Sequence, residues 1–345
     1  MRLALFTVGL CGWLAAVGCQ PAVSSADPPK ERTQFGEDRA PKPDDPKSKP
    51  AEGKSAFDSD RAIKYLKLVC DIGPRVSGTD GMTKQQDLLV KHFEGLGGKV
   101  TKQEFQGSQK SQAKKVGMTN LIVSWFPERK ARIILCCHYD TRPAADQEGD
   151  KRNWAKPFVS ANDGASGVAF LMELAHQLKD FPTGVGVDFV LFDGEEWVFT
   201  GPEGDDTYFL GSTHFAQEYK KAEKTRPHTY TAAILFDLFA HDGAKLKVED
   251  YSWQYANKLV LEVWGVADQV KAKSFQFTRG FNRSTAVQDD HLPLLNVGIP
   301  AVDVIDFDYE HWHKLSDTPD KVSPKQLGEV ALVITTWMKG LKGEK

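Results

Sequence analysis

The chain has 345 residues, 41% of them hydrophobic, with 44 basic and 47 acidic side chains and a formal net charge of −3. That near-balance excludes the basic footprint of a nucleic-acid-binding protein. The apolar content suffices for a sizeable core, and an amino-terminal stretch of different composition leaves room for one large domain.

Residues 3–18 are almost wholly apolar and follow Arg2, the pattern of an export signal. The run meets Ala16-Val17-Gly18-Cys19, small residues ahead of a cysteine, as at a bacterial lipoprotein cleavage site. Residues 1–19 are therefore expected to be a lipoprotein-type signal peptide with Cys19 lipidated. An ordinary signal peptide and a short membrane anchor are the alternatives. The expected location is outside the cytoplasm, facing the periplasm or exterior, with membrane contact only through that anchor. Residues 20–55 are dominated by Pro, Lys, Asp, Glu and Ser. Such a segment buries too little to offset its ordering entropy, which predicts a disordered tether. Residues 56–345 remain for the folded domain.

Helical spacing of Ile63, Leu66 and Val69 predicts a helix over Ala62–Cys70, and a second follows over Lys84–Leu96. Strands are expected at Val100–Phe105, Asn120–Trp125 and Ile133–Cys137, a helix at Gly167–Leu178 and a strand at Val187–Phe192. Helix Phe209–Tyr219, strand Ala232–Phe236, helix Tyr251–Trp264, a helical turn at His291–Asn296, strand Ala301–Ile305 and helix Pro324–Leu341 complete the series. The alternation predicts an α/β fold: a three-layer α/β/α sandwich whose central sheet is mixed but largely parallel. Cys136 and Cys137 should point to opposite faces of their strand. So few cysteines in an exported domain do not make a disulfide scaffold.

Five side chains able to bind metal are spread along this frame: His138, Asp163, Glu196, Asp237 and His313. Four of them follow or close a short apolar run, and ligands gather beyond the carboxyl ends of such strands. Imidazole mixed with carboxylate suits zinc. Each residue has an ordinary reading as well. His138-Tyr139-Asp140 fits a metal-bound imidazole steadied by a carboxylate, and equally a histidine in ordinary hydrogen bonds. Asp163 can cap the helix that follows it. Glu195-Glu196 can divide metal binding from proton exchange, or form a solvated turn. Asp237, inside Ile234-Leu235-Phe236-Asp237-Leu238-Phe239, needs a metal or a proton-sharing partner if buried. Either His311 or His313 can be the last ligand, and Trp312 can wall a pocket. Asp289-Asp290-His291 can be a helix N-terminus.

Taken together, His138-Tyr139-Asp140, Asp163, Asp193-Gly194-Glu195-Glu196, Asp237, Asp289-Asp290-His291 and Trp312-His313 resemble the motifs of the zinc glutaminyl-peptide cyclotransferases. They are also similar to those of the zinc aminopeptidases. The match covers about residues 60–340. The resemblance implies a zinc-exopeptidase-like fold and conversion of N-terminal Gln of peptides to pyroglutamate with ammonia release. It implies one zinc held by Asp163, Glu196 and His313, with Glu195 as general acid/base. Asp237 and Asp289 would be network carboxylates, and Trp312 and Asp303 pocket residues. The alternative it implies is an aminopeptidase with two zincs, His138 and Asp237 holding the second and Asp163 bridging. The partners are then peptide or protein N-termini. Asp303 stands where animal cyclases carry a histidine. Val168 replaces a cysteine that would pair with Cys137. A catalytically silent binding ectodomain is the reading from another class, and the complete ligand set argues against it.

Overall fold

The structure is a computed structural model and describes residues 57–200, 204–277 and 286–343. The expected signal peptide (1–19) and tether (20–55) lie outside the described residues, as do parts of the loops 201–207 and 274–283.

The elements in chain order are α1 (Ser59–Cys70), α2 (Asp80–Gly95), β1 (Lys99–Gly107), β2 (Val116–Trp125), β3 (Ala131–His138), α3 (Ser166–Leu178), β4 (Gly186–Phe192) and α4 (Leu210–Lys221). Then come β5 (Thr229–Asp237), β6 (Leu246–Lys247), α5 (Asp250–Val270), β7 (Phe275–Gln276), α6 (His291–Asn296), β8 (Ala301–Ile305) and α7 (Pro324–Gly340). Six strands form the main sheet in the order β1-β2-β4-β3-β5-β8. β3 runs parallel to β4 and to β5, and β5 parallel to β8, while β2 runs against both of its neighbours. The sheet is thus mixed and largely parallel.

Alternation along the buried strands feeds two separate cores. Ile133, Leu135 and Cys137 pack on one face with residues of α1, α2, α3, α5 and α7. Ile134 and Cys136 pack on the other with Phe215 of α4 and Leu294 of α6. Helices therefore cover both faces, and the adjacent cysteines do point apart. Cys70, Cys136 and Cys137 are free and buried.

The largest boundary differences have local causes. α2 begins at Asp80, ahead of the expected Lys84, because the Thr79 hydroxyl accepts from Met82 N at its start. Gly81 in that first turn lies so close to another segment that a Cβ there would stand 2.1 Å from the Pro74 carbonyl oxygen. β2 begins at Val116 because β1 pairs with it down to Gly107. β6 and β7 are two-residue strands, too short for any periodicity to announce them. The chain passes from β3 to β4 on one side and then from β4 back across to β5 on the other, and the reversal opens a crevice at the carboxyl ends of these strands.

Candidate metal centre

His138 is the last residue of β3 and Asp237 the last of β5, so the two side chains emerge side by side. His138 Nε2 lies 3.3 Å from Asp237 Oδ1 and 3.1 Å from Asp163 Oδ1. Asp163 sits in a single wide turn, Ala161–Ala165, with φ −90° and ψ 96°, followed by Gly164 at φ +87°. A Cβ on Gly164 would stand 2.8 Å from His138 Cε1, so the close approach of this turn to the imidazole requires glycine. Asp163 does not cap α3, whose first residue has no side-chain cap. Its own backbone is fixed from behind: Asn162 N and Asp163 N donate to the buried Asp317 carboxylate at 2.9 and 3.1 Å, and Tyr309 Oη donates to it at 2.7 Å.

The two glutamates after β4 are held by Asp140, which accepts from Glu195 N at 3.2 Å and Glu196 N at 3.0 Å. Asp193 faces away, taking Ser77 Oγ at 2.6 Å and Thr119 N at 2.8 Å. Glu196 Oε1 lies 2.5 Å from His313 Nε2, and Asp163 Oδ2 lies 3.7 Å from the same nitrogen. His313 has φ +53°, a left-handed backbone unusual for histidine, and its Nδ1 is 2.9 Å from Asp146 Oδ1. His311 points elsewhere, to Ser316 Oγ at 2.9 Å and Glu310 Oε1 at 3.2 Å. Asp163 therefore stands between two imidazoles, one oxygen toward His138 and Asp237, the other toward His313 and Glu196.

One ligand atom from each of His138, Asp163 and Glu196 falls within 4.8 Å of the others, so these three could hold a metal ion. His313, against Glu196 and Asp163, is placed to join them. Asp163 Oδ2 and Glu196 Oε2 are buried without a hydrogen-bond partner among the described residues. Leaving one such oxygen unsatisfied costs about 1–3 kcal/mol, more for a charged group. A cation between them removes that cost, so the donor set fits a metal.

Electrostatics set the glutamates apart. Burial pushes the Glu195 carboxyl well above its usual range, with Glu196, Asp289 and Asp290 adding to the rise and His138 opposing it. Glu196 is held low against its burial by His313, His138 and Arg142. Arg142 itself is fixed by Asp146 at 2.7 Å and Tyr208 Oη at 3.2 Å. The pair thus divides into one carboxyl that favours its proton and one that favours its anion.

A cavity of about 390 Å³ opens on this cluster. Asp163, Glu195, Glu196, Asp237, Asp289, Trp312 and His313 line it, together with Tyr208, Val287 and Phe307. Its size suits one small residue or ligand. The Trp312 ring, part of the cavity lining, lies 4.9 Å from that of Phe307 and 4.0 Å from that of His313. Asp303 is fully buried outside this lining, its carboxyl beside that of Asp289. Asp289 is raised to about 7 by burial first and by Asp237 next. Asp146, Asp317, Arg142 and Tyr208 are residues of the site that sequence reasoning passed over. They lie in the loops 139–160 and 306–318 and near the end of the 193–209 connection, where no periodic pattern marks them. Asp146, four residues after Arg142, was the one legible hint.

The profile of peptidase family M28 matches residues 120–338. The chain belongs to peptidase family M28. The glutaminyl cyclase of Fimbriiglobus ruber is 58% identical, with a TM-score of 0.80 over 85% of this chain and 99% of that one. A leucine aminopeptidase precursor from Bacteroides thetaiotaomicron is 28% identical, with a TM-score of 0.75 over 85% of this chain and 99% of that one. A glutaminyl-peptide cyclotransferase of Drosophila melanogaster is 25% identical over 282 residues, 76% of this chain and 75% of the relative.

Proposed function

We propose that this M28 chain is a zinc-dependent glutaminyl-peptide cyclotransferase, which closes the N-terminal glutamine of peptides to pyroglutamate and releases ammonia. The observation that carries the reading is the 58% identity to a glutaminyl cyclase across nearly all of that protein. Asp163, Glu196 and His313 would hold the ion, with His138 and Asp237 beside them. Bound zinc supplies Lewis-acid polarisation of the substrate γ-carbonyl.

The remaining work falls to the chain's own groups. Trp312 and Phe307 shield the site and pack against the apolar stem of the glutaminyl side chain. Glu195, in the cavity wall, takes a proton from the α-amine as its nitrogen bonds to the carbonyl carbon of the side-chain amide, Cδ. The same carboxyl then returns the proton to the amide nitrogen as the carbon–nitrogen bond breaks and ammonia leaves. A raised carboxyl suits both halves of that exchange. Asp237 and Asp289 accept from the substrate amine and amide N–H groups. The nucleophile belongs to the substrate, so ring closure gains from proximity alone and needs no bound water.

A second reading has an observation of its own: Asp163 presents one oxygen to each imidazole, an arrangement that suits a carboxylate bridging two ions. In that case the chain would be an aminopeptidase with two zincs. One experiment separates the readings. A peptide beginning with Gln is incubated with the zinc-loaded protein and weighed by mass spectrometry. Loss of ammonia with the chain length unchanged is expected. Release of the first residue would instead establish the peptidase.

A further inference from the structure

Glu249 precedes α5 and its carboxylate is fully buried. It accepts hydrogen bonds from Tyr251 N at 2.8 Å, Ser252 N at 2.7 Å and Ser252 Oγ at 2.9 Å. Those three are ordinary capping of a helix N-terminus. Two further contacts are not. Val287 N donates to its Oε1 at 3.0 Å, and His291 Nε2 lies 3.2 Å from its Oε2. Val287 and His291 are the residues two before and two after Asp289. One carboxylate thus holds the cavity wall on the upstream side of Asp289 and stands against a buried imidazole on the downstream side.

A third tie runs through the same cap. Ser252 Oγ, which donates to Glu249, accepts from Asp303 N at 3.0 Å. Asp303 is the acid whose carboxyl stands beside Asp289. Three elements that meet behind Asp289 are therefore fastened to a single side chain: the 286–289 wall, the start of α6, and β8. A Ser, Thr, Asp or Asn would cap α5 as well. None of them is long enough to serve the cap and reach Val287 N and His291 together.

We infer that Glu249 is a positioning residue for the cyclisation: through Val287, His291 and Ser252 it sets where the Asp289 carboxyl stands in the cavity. Glu249 itself does not line that cavity. The inference rests on the cyclase reading, in which Asp289 steadies the substrate amine and the leaving amide. Displacement of such a group by an ångström is enough to cost about a hundredfold in rate.

The test uses the zinc-loaded full chain and a Gln-initiated peptide. Glu249→Gln keeps the size and the capping oxygen and loses the charge facing His291. It should lower kcat by about ten- to a hundredfold while KM and bound zinc stay near wild type. Asp289→Asn should lower kcat too, and Glu249→Gln added to it should cost little more, because both act through one carboxyl. A merely structural Glu249 would lower Tm and leave kcat per folded molecule unchanged. That result, or independent and multiplying losses in the double variant, overturns the inference. If Glu249→Gln does not fold, His291→Asn leaves the cap intact and should show the same kcat loss and the same lack of additivity. A wild-type protein that removes residues without cyclising Gln would sink the functional reading, and this inference with it. A cyclising wild type with unaffected Glu249→Gln and His291→Asn variants sinks the inference alone.

Discussion

The two ends of the central sheet carry buried charge in opposite ways. At the amino end, Arg132 and Asp188 face each other across β3 and β4. Arg132 Nε and Nη2 donate to the two Asp188 oxygens, and Tyr230 Oη donates to Oδ2 at 2.6 Å. Arg132 Nη1 also donates to the Phe126 carbonyl at 2.7 Å, and Nη2 to the Trp125 and Val187 carbonyls at 3.0 and 3.2 Å. None of these side-chain atoms is left without a partner. At the carboxyl end, Asp163, Glu196, Asp289, Asp290 and Asp303 all keep buried oxygens without a hydrogen-bond partner among the described residues. Burial is nearly the same at the two ends. A closed network serves the fold, whereas an open one is complete only with something the chain does not supply.

The strongest way to break this contrast is at the open end. Glu195→Gln should cut kcat by about 10²–10⁴-fold with metal content and Tm retained, as ammonia release and elemental analysis would show. Survival of most activity would remove Glu195 from the chemistry. At the closed end the reverse is expected. Arg132→Met strands Asp188 in the core and should cost about 3–5 kcal/mol of stability in urea unfolding, with kcat per folded molecule unchanged. A selective kcat loss there would show that the two ends are coupled.

A subtler separation comes from pH after chelation. In the metal-free protein Asp237 is raised to about 6, by burial first, and Asp317 to about 7, by burial and then Asp163. Asp289 at about 7 behaves alike. These carboxyls hold protons in the folded state that the unfolded chain has shed, so stability falls as pH climbs from their ordinary 3.8 toward about 7. His313 is raised from 6.5 to about 9 by Glu196 and then Asp146, against its burial. Its contribution is whole below 6.5 and fades as pH passes about 9. Both trends run the same way, so chelated protein should show a lower Tm at pH 8 than at pH 5. Zinc should flatten the slope, because it replaces the protons. A chelated Tm that rises over this interval would contradict the charge crowding at the open end.

Much of the frame could be read beforehand. β3, β4, β5 and β8 are short runs rich in Val, Ile, Leu, Phe, Ala and Cys, and α6 and β8 fall where the pattern places them. His138, Glu196, Asp237 and His313 lie at or after the ends of such strands, whereas Asp163 sits in the turn ahead of α3. What the sequence left open was orientation. His311 and His313 are equivalent as letters, and only the left-handed turn at His313 sends one inward and the other out. Asp303 sits in a strand whose residues are all buried, so whether it faces the cavity or lies behind Asp289 depends on how β8 packs on α5. Asp146, Asp317 and Glu249 act through backbone amides or imidazoles distant in the chain, contacts that no local spacing encodes.

The turn that brings Asp163 up to the β3 histidine is held from below by Asp317, and the inward histidine by Asp146. A nascent or truncated chain ending before β8 lacks both His313 and the brace under Asp163. With Asp163, Glu196 and His313 as the proposed ligands, the site would be complete only after the 306–318 segment has docked, and full metal uptake would then report that folding has finished rather than start it.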